Sequence, residues 1–383
     1  MEFFSNTGAW DGLSTLYYVV VPFLFVLTVV VFVHELGHFL AARWCGVRVM
    51  MFSIGFGREL AHFTDRYGTR WKLAAIPLGG YVKLFGEKNA VTRPNRAAVD
   101  ALSETERRES FFHQSLPKRV AIVAAGPIAN FLLAIVIFAS VDTIYGRPDM
   151  TARVEAIKPD SAAAAAGFKL ADVVVAIDGQ PINSFTDMQR VVRGHAGQKL
   201  QIVVERDGRD MTLSAVPAAT EVTDNFGKTH RHGFLGIQGP KEPLKVGPIE
   251  AVRYGAEETW SIIDATFSYL YDMVTGRESA DQLGGPIGIA LTSGEAAKLG
   301  FDVLIRWVAA ISVSIGLINL FPIPLLDGGH LLFYGLEGLR GSPLSERTQE
   351  IGLRIGLTLL LMLVVFATYN DILRLFAGFR IWS

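Results

Sequence analysis

The sequence predicts a polytopic α-helical membrane protein of about four spans, with a β-rich element on one side and an α+β insert on the other. Three observations carry this. Half of the 383 residues are hydrophobic and 19% are charged, and the mean hydropathy is +0.32. Four apolar runs, at about 17–43, 120–144, 303–327 and 352–376, each approach the ~20 residues that a bilayer requires. Between the second and third runs the chain changes to short alternating strands, glycine turns and charges. The 36 Lys and Arg against 37 Asp and Glu leave the chain near neutral, which argues against a general nucleic-acid binder. Its single cysteine, Cys45, excludes an intrachain disulfide and reads as a small buried hydrophobe.

The first run, Tyr17 to Val33, is almost unbroken Val, Leu, Phe and Ile. The stretch before it, Met1 to Ser14, lacks the basic region of a signal peptide, so this segment is expected to be retained as a span. At its end stands His34-Glu35-Leu36-Gly37-His38. On a helix, residues four apart share a face, so both imidazoles can grip one cation, and Glu35 sits where a carboxylate can deprotonate water. A chance match to so short a pattern is common in soluble helices. Inside an apolar span, three titratable groups in five residues are costly and point to function. Zinc is the expected ion.

Between the first and second runs, Arg43 to Arg119 holds fourteen Lys and Arg, whereas no basic residue precedes the first run. That asymmetry places this loop in the cytosol and both chain termini outside. Within it, Val47 to Gly57 and Arg70 to Gly86 are rich in β-branched and aromatic residues with glycine breaks, and predict strands of a hairpin-rich sheet. Such a sheet can pack peripherally or can offer an edge to an unwound peptide. Residues 89–109 read as a polar loop with a short surface helix. In the second span, Gly126-Pro127 is expected to kink or open the helix, and Asn130 one turn later to serve helix packing ahead of the alternative that it faces the path into the site.

The insert reads element by element. Ala152 to Ile157 is extended, Ser161 to Phe168 a short helix, Val173 to Ile177 a strand with an Asp178-Gly179 turn, and Phe185 to Val192 a helix. Lys199–Arg206 and Arg209–Val216 form a hairpin around Asp207-Gly208. This order resembles a protease-type PDZ domain, with Ala171-Asp172 standing where the pattern usually has Gly-Asp. PDZ domains capture peptide termini or edge strands; the alternative is a filter that admits only pre-trimmed substrates. Residues 218–245 read as a connector and Gly247 to Gly276 as an amphipathic helix resting on the outer leaflet or bracing the insert. Gly284 to Ile289 breaks the chain before the third span.

That span ends in Asn319-Leu320-Phe321-Pro322-Ile323-Pro324-Leu325-Leu326-Asp327-Gly328-Gly329-His330. Two prolines break the helix and free groups to face a site. A catalytic zinc site uses three protein ligands and keeps a fourth position open. Asp327 is the expected third ligand, with His330 ranked behind it because it lies past the Gly-Gly turn. Asn319 has two readings of equal weight on its chemistry alone: donor to an oxyanion, or an interhelical hydrogen bond.

The His34–His38 motif in the first span, the Asn319–Gly329 motif in a late one, Gly126-Pro127-Ile128-Ala129-Asn130 and the PDZ-like insert together resemble the site-2 protease family of intramembrane zinc metalloproteases, in particular its bacterial RseP-type members. The resemblance covers nearly the whole chain. It implies Zn2+ held by His34, His38 and Asp327, Glu35 as catalytic base, and Asn319 positioning substrate or stabilising the oxyanion. It implies that the cytosolic β element is membrane-re-entrant, that the PDZ domain is extracytoplasmic, and that the protein is a multi-pass component of the bacterial inner membrane. Substrates would be single-span membrane proteins cut within the bilayer, such as a pre-trimmed anti-sigma factor or a signal-peptide remnant. The expected divisions are 1–145, 148–218 (PDZ), 219–300 and 301–383. Two rivals are a non-catalytic PDZ-bearing scaffold with a structural metal and a metal transporter. Glu35 speaks against the first, since a structural site needs no base. The open three-ligand set and the insert speak against the second.

Overall fold

The computed structural model describes residues 9–86, 102–147, 149–223, 229–240, 242–280 and 283–380. Lys88, Arg93 and Arg96 of the basic loop, and the amino-terminal flank before residue 9, lie outside them. In chain order the long elements are α1 (Ala9–Trp44), β1 (Val49–Thr64), β2 (Arg70–Leu84), α2 (Glu104–Glu109) and α3 (Leu116–Tyr145). The insert contributes β3 (Ala156–Ile157), α4 (Ala162–Ala166), β4 (Val173–Ile177), β5 (Gln180–Pro181), α5 (Phe185–Gly194), β6 (Leu200–Arg206) and β7 (Arg209–Ala215). It continues with β8 (Ala218–Thr223), β9 (Thr229–Phe234) and β10 (Ile237–Gln238). Then come α6 (Pro248–Val274), α7 (Pro286–Leu299), α8 (Phe301–Leu320), α9 (Asp327–Arg340) and α10 (Glu346–Arg380). Among the described residues, Tyr17–Trp44, Leu116–Tyr145, Phe301–Leu320 and Arg347–Phe376 are long and apolar enough to cross a membrane, four as expected.

The chain forms two compact units. The first takes the spans up to Val141 together with Pro248–Ile372; the second is Asp142–Gly247 with the chain from Leu373 onward. In the first, Val26 and Val30 of α1 pack with Leu304, Val308 and Ile311 of α8. Ala134 and Phe138 of α3 pack with Ala309 and Val313 of α8. Helix α6 joins them through small residues. Ala251, Gly255 and Thr259 are buried, and a Cβ on Gly255 would lie 2.7 Å from the Ile135 carbonyl of α3. Of the expected apolar face of α6, Ile262 and Ile263 pack against this core, while Ile249, Val252, Phe267 and Tyr271 stay exposed.

The two strands predicted between the first and second spans form as expected, with β1 running on to Thr64. The first half of β1 sits between the two halves of β2: Phe52 pairs with both Trp71 and Val82, and Ile54 with both Leu73 and Gly80. Among the described residues no further strand pairs with the outer side of that half of β2. Phe52, Phe39 and Phe111 are buried between the sheet and α1. The hairpin turn is tied to α1 by Arg43, whose guanidinium lies 4.3 Å from the Phe39 ring and 4.5 Å from the Tyr67 ring. It also pairs with Asp65. Burial works to raise the Asp65 carboxyl, but hydrogen bonds from Trp71, Thr69, Arg43 and Tyr67 outweigh it and hold the group at about 2.

Gly284–Ile289, to which the sequence assigned no role, opens α7. The Gly285 and Gly288 amides donate to the carboxylate of Asp371 on α10, at 3.0 and 2.9 Å, and a Cβ on either glycine would strike that carboxylate. One acid from the fourth span thus caps a helix start on another element, satisfying donors that a helix end leaves free.

In the second unit, β5, β4, β6 and β7 form one antiparallel sheet in that order. Both predicted turns have positive φ at two successive residues, Asp178-Gly179 (47° and 79°) and Asp207-Gly208 (53° and 74°), as two-residue hairpins of this kind require. Ala171 takes φ 69°, the left-handed conformation for which glycine is suited. The strain is held by its neighbour: Asp172 is fully buried and accepts from Arg206 Nε and Nη2 at 2.7 and 2.8 Å. Residues 218–245 correct the expected connector. They carry the β8–β9 hairpin and β10, which pairs with β3. Leu235 and Ile237 enter the same core as Val154, Ile177 and Ile202. The unit therefore extends well past residue 218, because its first strand finds its partner only at Ile237.

Candidate active site

His34, Glu35 and His38 lie on the last turns of α1, all at least half-buried. Asp327 arrives from elsewhere, and here the structure corrects the expected third span. Helix α8 ends at Leu320, and Asp327 is the first residue of a new helix, α9, rather than part of the span. Pro322 and Pro324 offer no amide hydrogen and force their predecessors away from helical geometry. Leu325 has φ 108°, a strained conformation held in place by its surroundings. Gly328 and Gly329 let α9 start hard against this loop, since a Cβ on Gly328 would lie 2.2 Å from the Leu320 carbonyl and one on Gly329 2.4 Å from that of Ile323.

Three donor atoms converge. His34 Nε2 and His38 Nε2 are 3.2 Å apart, and Asp327 Oδ2 lies 3.1 Å from the first and 3.5 Å from the second. Zinc bonds of about 2.0–2.1 Å to N and O in a tetrahedron give ligand separations of roughly 3.3–3.4 Å. The triangle fits. Asp327 Oδ2 is also buried without a hydrogen-bond donor, so an acidic oxygen faces two imidazole nitrogens in a site that calls for a cation. His34, His38 and Asp327 form the one such group of metal-competent side chains among the described residues. His330, one turn along α9, lines the adjoining cavity but is not part of the triangle.

The surroundings orient these groups. His38 Nδ1–H donates to the Ile122 carbonyl of α3 at 2.9 Å, which leaves Nε2 bare for a metal. The side-chain amide of Asn130, fully buried, lies 3.3 Å from His34 Nδ1. The Ser312 hydroxyl donates to the Asn130 backbone carbonyl at 2.9 Å, so the expected packing role is met by the backbone while the side chain faces the ring. Helix α3 continues through Pro127. What Gly126 supplies is space: a Cβ there would lie 2.4 Å from His38 Nε2 and 2.9 Å from His34 Cε1. Gly37 does the same from α1, where a Cβ would stand 2.3 Å from the Ala125 carbonyl. The sequence marks Gly126-Pro127 and Asn130 as a kink and a packing residue, but not the contacts that they, Gly37 and the Ile122 carbonyl make with the two imidazoles.

A cavity of about 340 Å3 opens beside the triangle and is lined by Glu35, Tyr81, Asn319 and His330 among others. The outer edge of β2 forms one wall. The Val82 backbone lies beside the Glu35 carboxylate, and a Cβ on Gly80 would lie 3.3 Å from Glu35 Cγ.

Residues 22–363 match the family model described as "Peptidase family M50". The chain belongs to that family. Metalloprotease MmpA of Caulobacter vibrioides is 39% identical over 378 residues, covering 92% of this chain and 95% of its own length. Protease RseP of Yersinia pestis is 32% identical over 455 aligned residues, covering 92% and 98%. A protein of Agrobacterium fabrum that carries a zinc metalloprotease name is 49% identical over 358 residues, covering 92% and 95%. This M50 member is accordingly a membrane-embedded zinc metalloprotease. The scaffold and transporter readings give way to it.

Proposed function

We propose that this M50 protease holds its zinc on His34, His38 and Asp327 and cuts a peptide bond within the transmembrane segment of single-span membrane proteins. The observation that carries the assignment is the triangle of donor atoms with 3.1–3.5 Å edges beside a half-buried glutamate. When bound, zinc supplies a Lewis acid that polarises the scissile carbonyl and lowers the pKa of water. Glu35 takes the proton from the attacking water and delivers it to the departing amide nitrogen. Asn319, in the cavity wall, donates its amide to the developing oxyanion or to the substrate backbone.

A transmembrane helix has its peptide bonds hydrogen-bonded and shielded. The outer edge of β2, running past Glu35 at Gly80 and Val82, supports the reading that an unwound substrate adds there as a strand. The basic loop supports a cytosolic position for that edge, which puts the insert outside the inner membrane. The element order and both hairpin turns of the second unit support a PDZ domain there. Acting as a size filter, it would pass only substrates trimmed beforehand, among them anti-sigma factors and signal-peptide remnants.

Purified wild type and Glu35→Gln test the assignment. Zinc should be retained in both, with cleavage of a trimmed single-span substrate lost by 10²-fold or more in the variant. Cleavage at the wild-type rate by Glu35→Gln removes Glu35 from the mechanism.

A further inference from the structure

Each imidazole in the triangle must present a bare Nε2, so each must carry its proton on Nδ1. For His38 the Ile122 carbonyl settles this, because a carbonyl can only accept. His34 faces an amide, which has an oxygen that accepts and a nitrogen that donates, exchanged by a half-turn of the group. With Nδ2 toward the ring, His34 Nδ1 would be the acceptor. The neutral ring would then bear its proton on Nε2, 3.2 Å from His38 Nε2 and aimed into the triangle. Asn130 Oδ1 would also remain buried without a donor. With Oδ1 toward the ring, His34 matches His38. One polar atom of the amide stays unpaired either way, so satisfaction of the amide does not decide between the two; the lone pair required at Nε2 does.

We infer that Asn130 is a positioning residue whose side-chain oxygen accepts from His34 Nδ1–H and locks the ring in its metal-binding tautomer. The inference rests on His34 being a zinc ligand. Its setting favours a fixed amide. Asn130 is fully buried, its backbone carbonyl is held by Ser312, and a Cβ on Gly316 of α8 would lie 3.1 Å from its own Cβ. Outer-shell partners of this kind are worth roughly 10–100-fold in metal affinity.

Two substitutions separate this role from packing, because they rank oppositely. Asn130→Leu keeps the volume and removes the acceptor; Asn130→Asp keeps an acceptor at the cost of a buried charge. Zinc affinity of the full-length protein in detergent, by chelator competition, should fall 10–100-fold in Asn130→Leu and stay within a few-fold of wild type in Asn130→Asp. Wild-type affinity in Asn130→Leu, or equal loss in both, overturns the inference. His34→Ala is measured alongside. If it binds zinc as wild type does, the ligand assignment fails; if it loses zinc while Asn130→Leu does not, only the role of Asn130 fails. Should Asn130→Leu not fold, 15N-histidine spectra of zinc-loaded wild type give the answer. An exchange-protected, downfield Nδ1 proton on His34, like that on His38, is expected, and a freely exchanging one overturns the proposal.

Discussion

Replacing Gly126 by alanine should disable the site while leaving its helix intact. The added methyl would stand 2.4 Å from His38 Nε2 and 2.5 Å from its Cε1. Non-bonded heavy atoms settle at about 3.5 Å or more, so the ring must retreat by roughly 1 Å, and the atom that moves is the donor itself. A displacement of that size costs on the order of 10²-fold in rate, or about 2.7 kcal/mol of transition-state stabilisation. The helix works in the opposite sense, since alanine in a helix interior is favoured over glycine by about 1 kcal/mol. Gly126→Ala should therefore keep wild-type helicity and thermal unfolding, lose affinity for zinc, and lose about 100-fold in kcat/KM on a trimmed single-span substrate. Activity within threefold of wild type would mean that α3 does not press on the ligands, and the packing argument would fail. Loss of helicity together with activity would equally refute it.

The other predictions concern the second unit and the β1–β2 sheet. Arg147 and Leu244 hydrogen-bond to each other in both directions, at 2.9 and 2.8 Å, so the chain enters and leaves the second unit at adjacent points. Excising residues 149–242 and joining the ends with a short glycine linker should permit cleavage of an untrimmed substrate; if that substrate stays intact while the trimmed one is cut, the filter idea is wrong. The folded pKa of Asp65 is depressed to about 2, so its contribution to the hairpin turn is complete above the ordinary carboxylate range and is lost as pH falls from about 4 towards 2. Because Asp65 accepts from Trp71 Nε1–H at 3.2 Å, Trp71 fluorescence should change across that window in wild type and not in Asp65→Asn. An identical acid transition in both would remove Asp65 as its cause.

The spans, the strands β1 and β2 and the turns of the insert were legible because each is written in a local pattern. A long apolar run, Gly breaks between β-branched residues, and Asp-Gly pairs all act through nearest neighbours. The extent of the insert was not, since β3 is two residues long and acquires a partner only at Ile237, some eighty residues later. Local reading made 218–245 a connector because the strand there completes a sheet begun before α4. The start of α9 was misread for a related reason. The prolines announced a break, but whether Asp327 closes the old helix or opens a new one depends on Gly328 and Gly329 fitting against the Leu320 and Ile323 carbonyls.

At the active site the sequence advertised what side chains do and was silent about what their absence permits. His34, Glu35, His38 and Asp327 declare themselves by chemistry. Gly37 and Gly126 matter because they put α1 and α3 within backbone reach of each other, and only that reach makes the Ile122 carbonyl available to His38. In a regular helix this carbonyl already accepts from the amide four residues on, that of Gly126. A carbonyl oxygen has two lone pairs, so it can hold the helix and the His38 ring together. The same residue thus clears the space for the ring and donates to the carbonyl that orients it. A side chain at position 126 keeps that amide and fills only the space, so its effect falls on the ring itself and should exceed that of enlarging any cavity residue that merely faces the substrate.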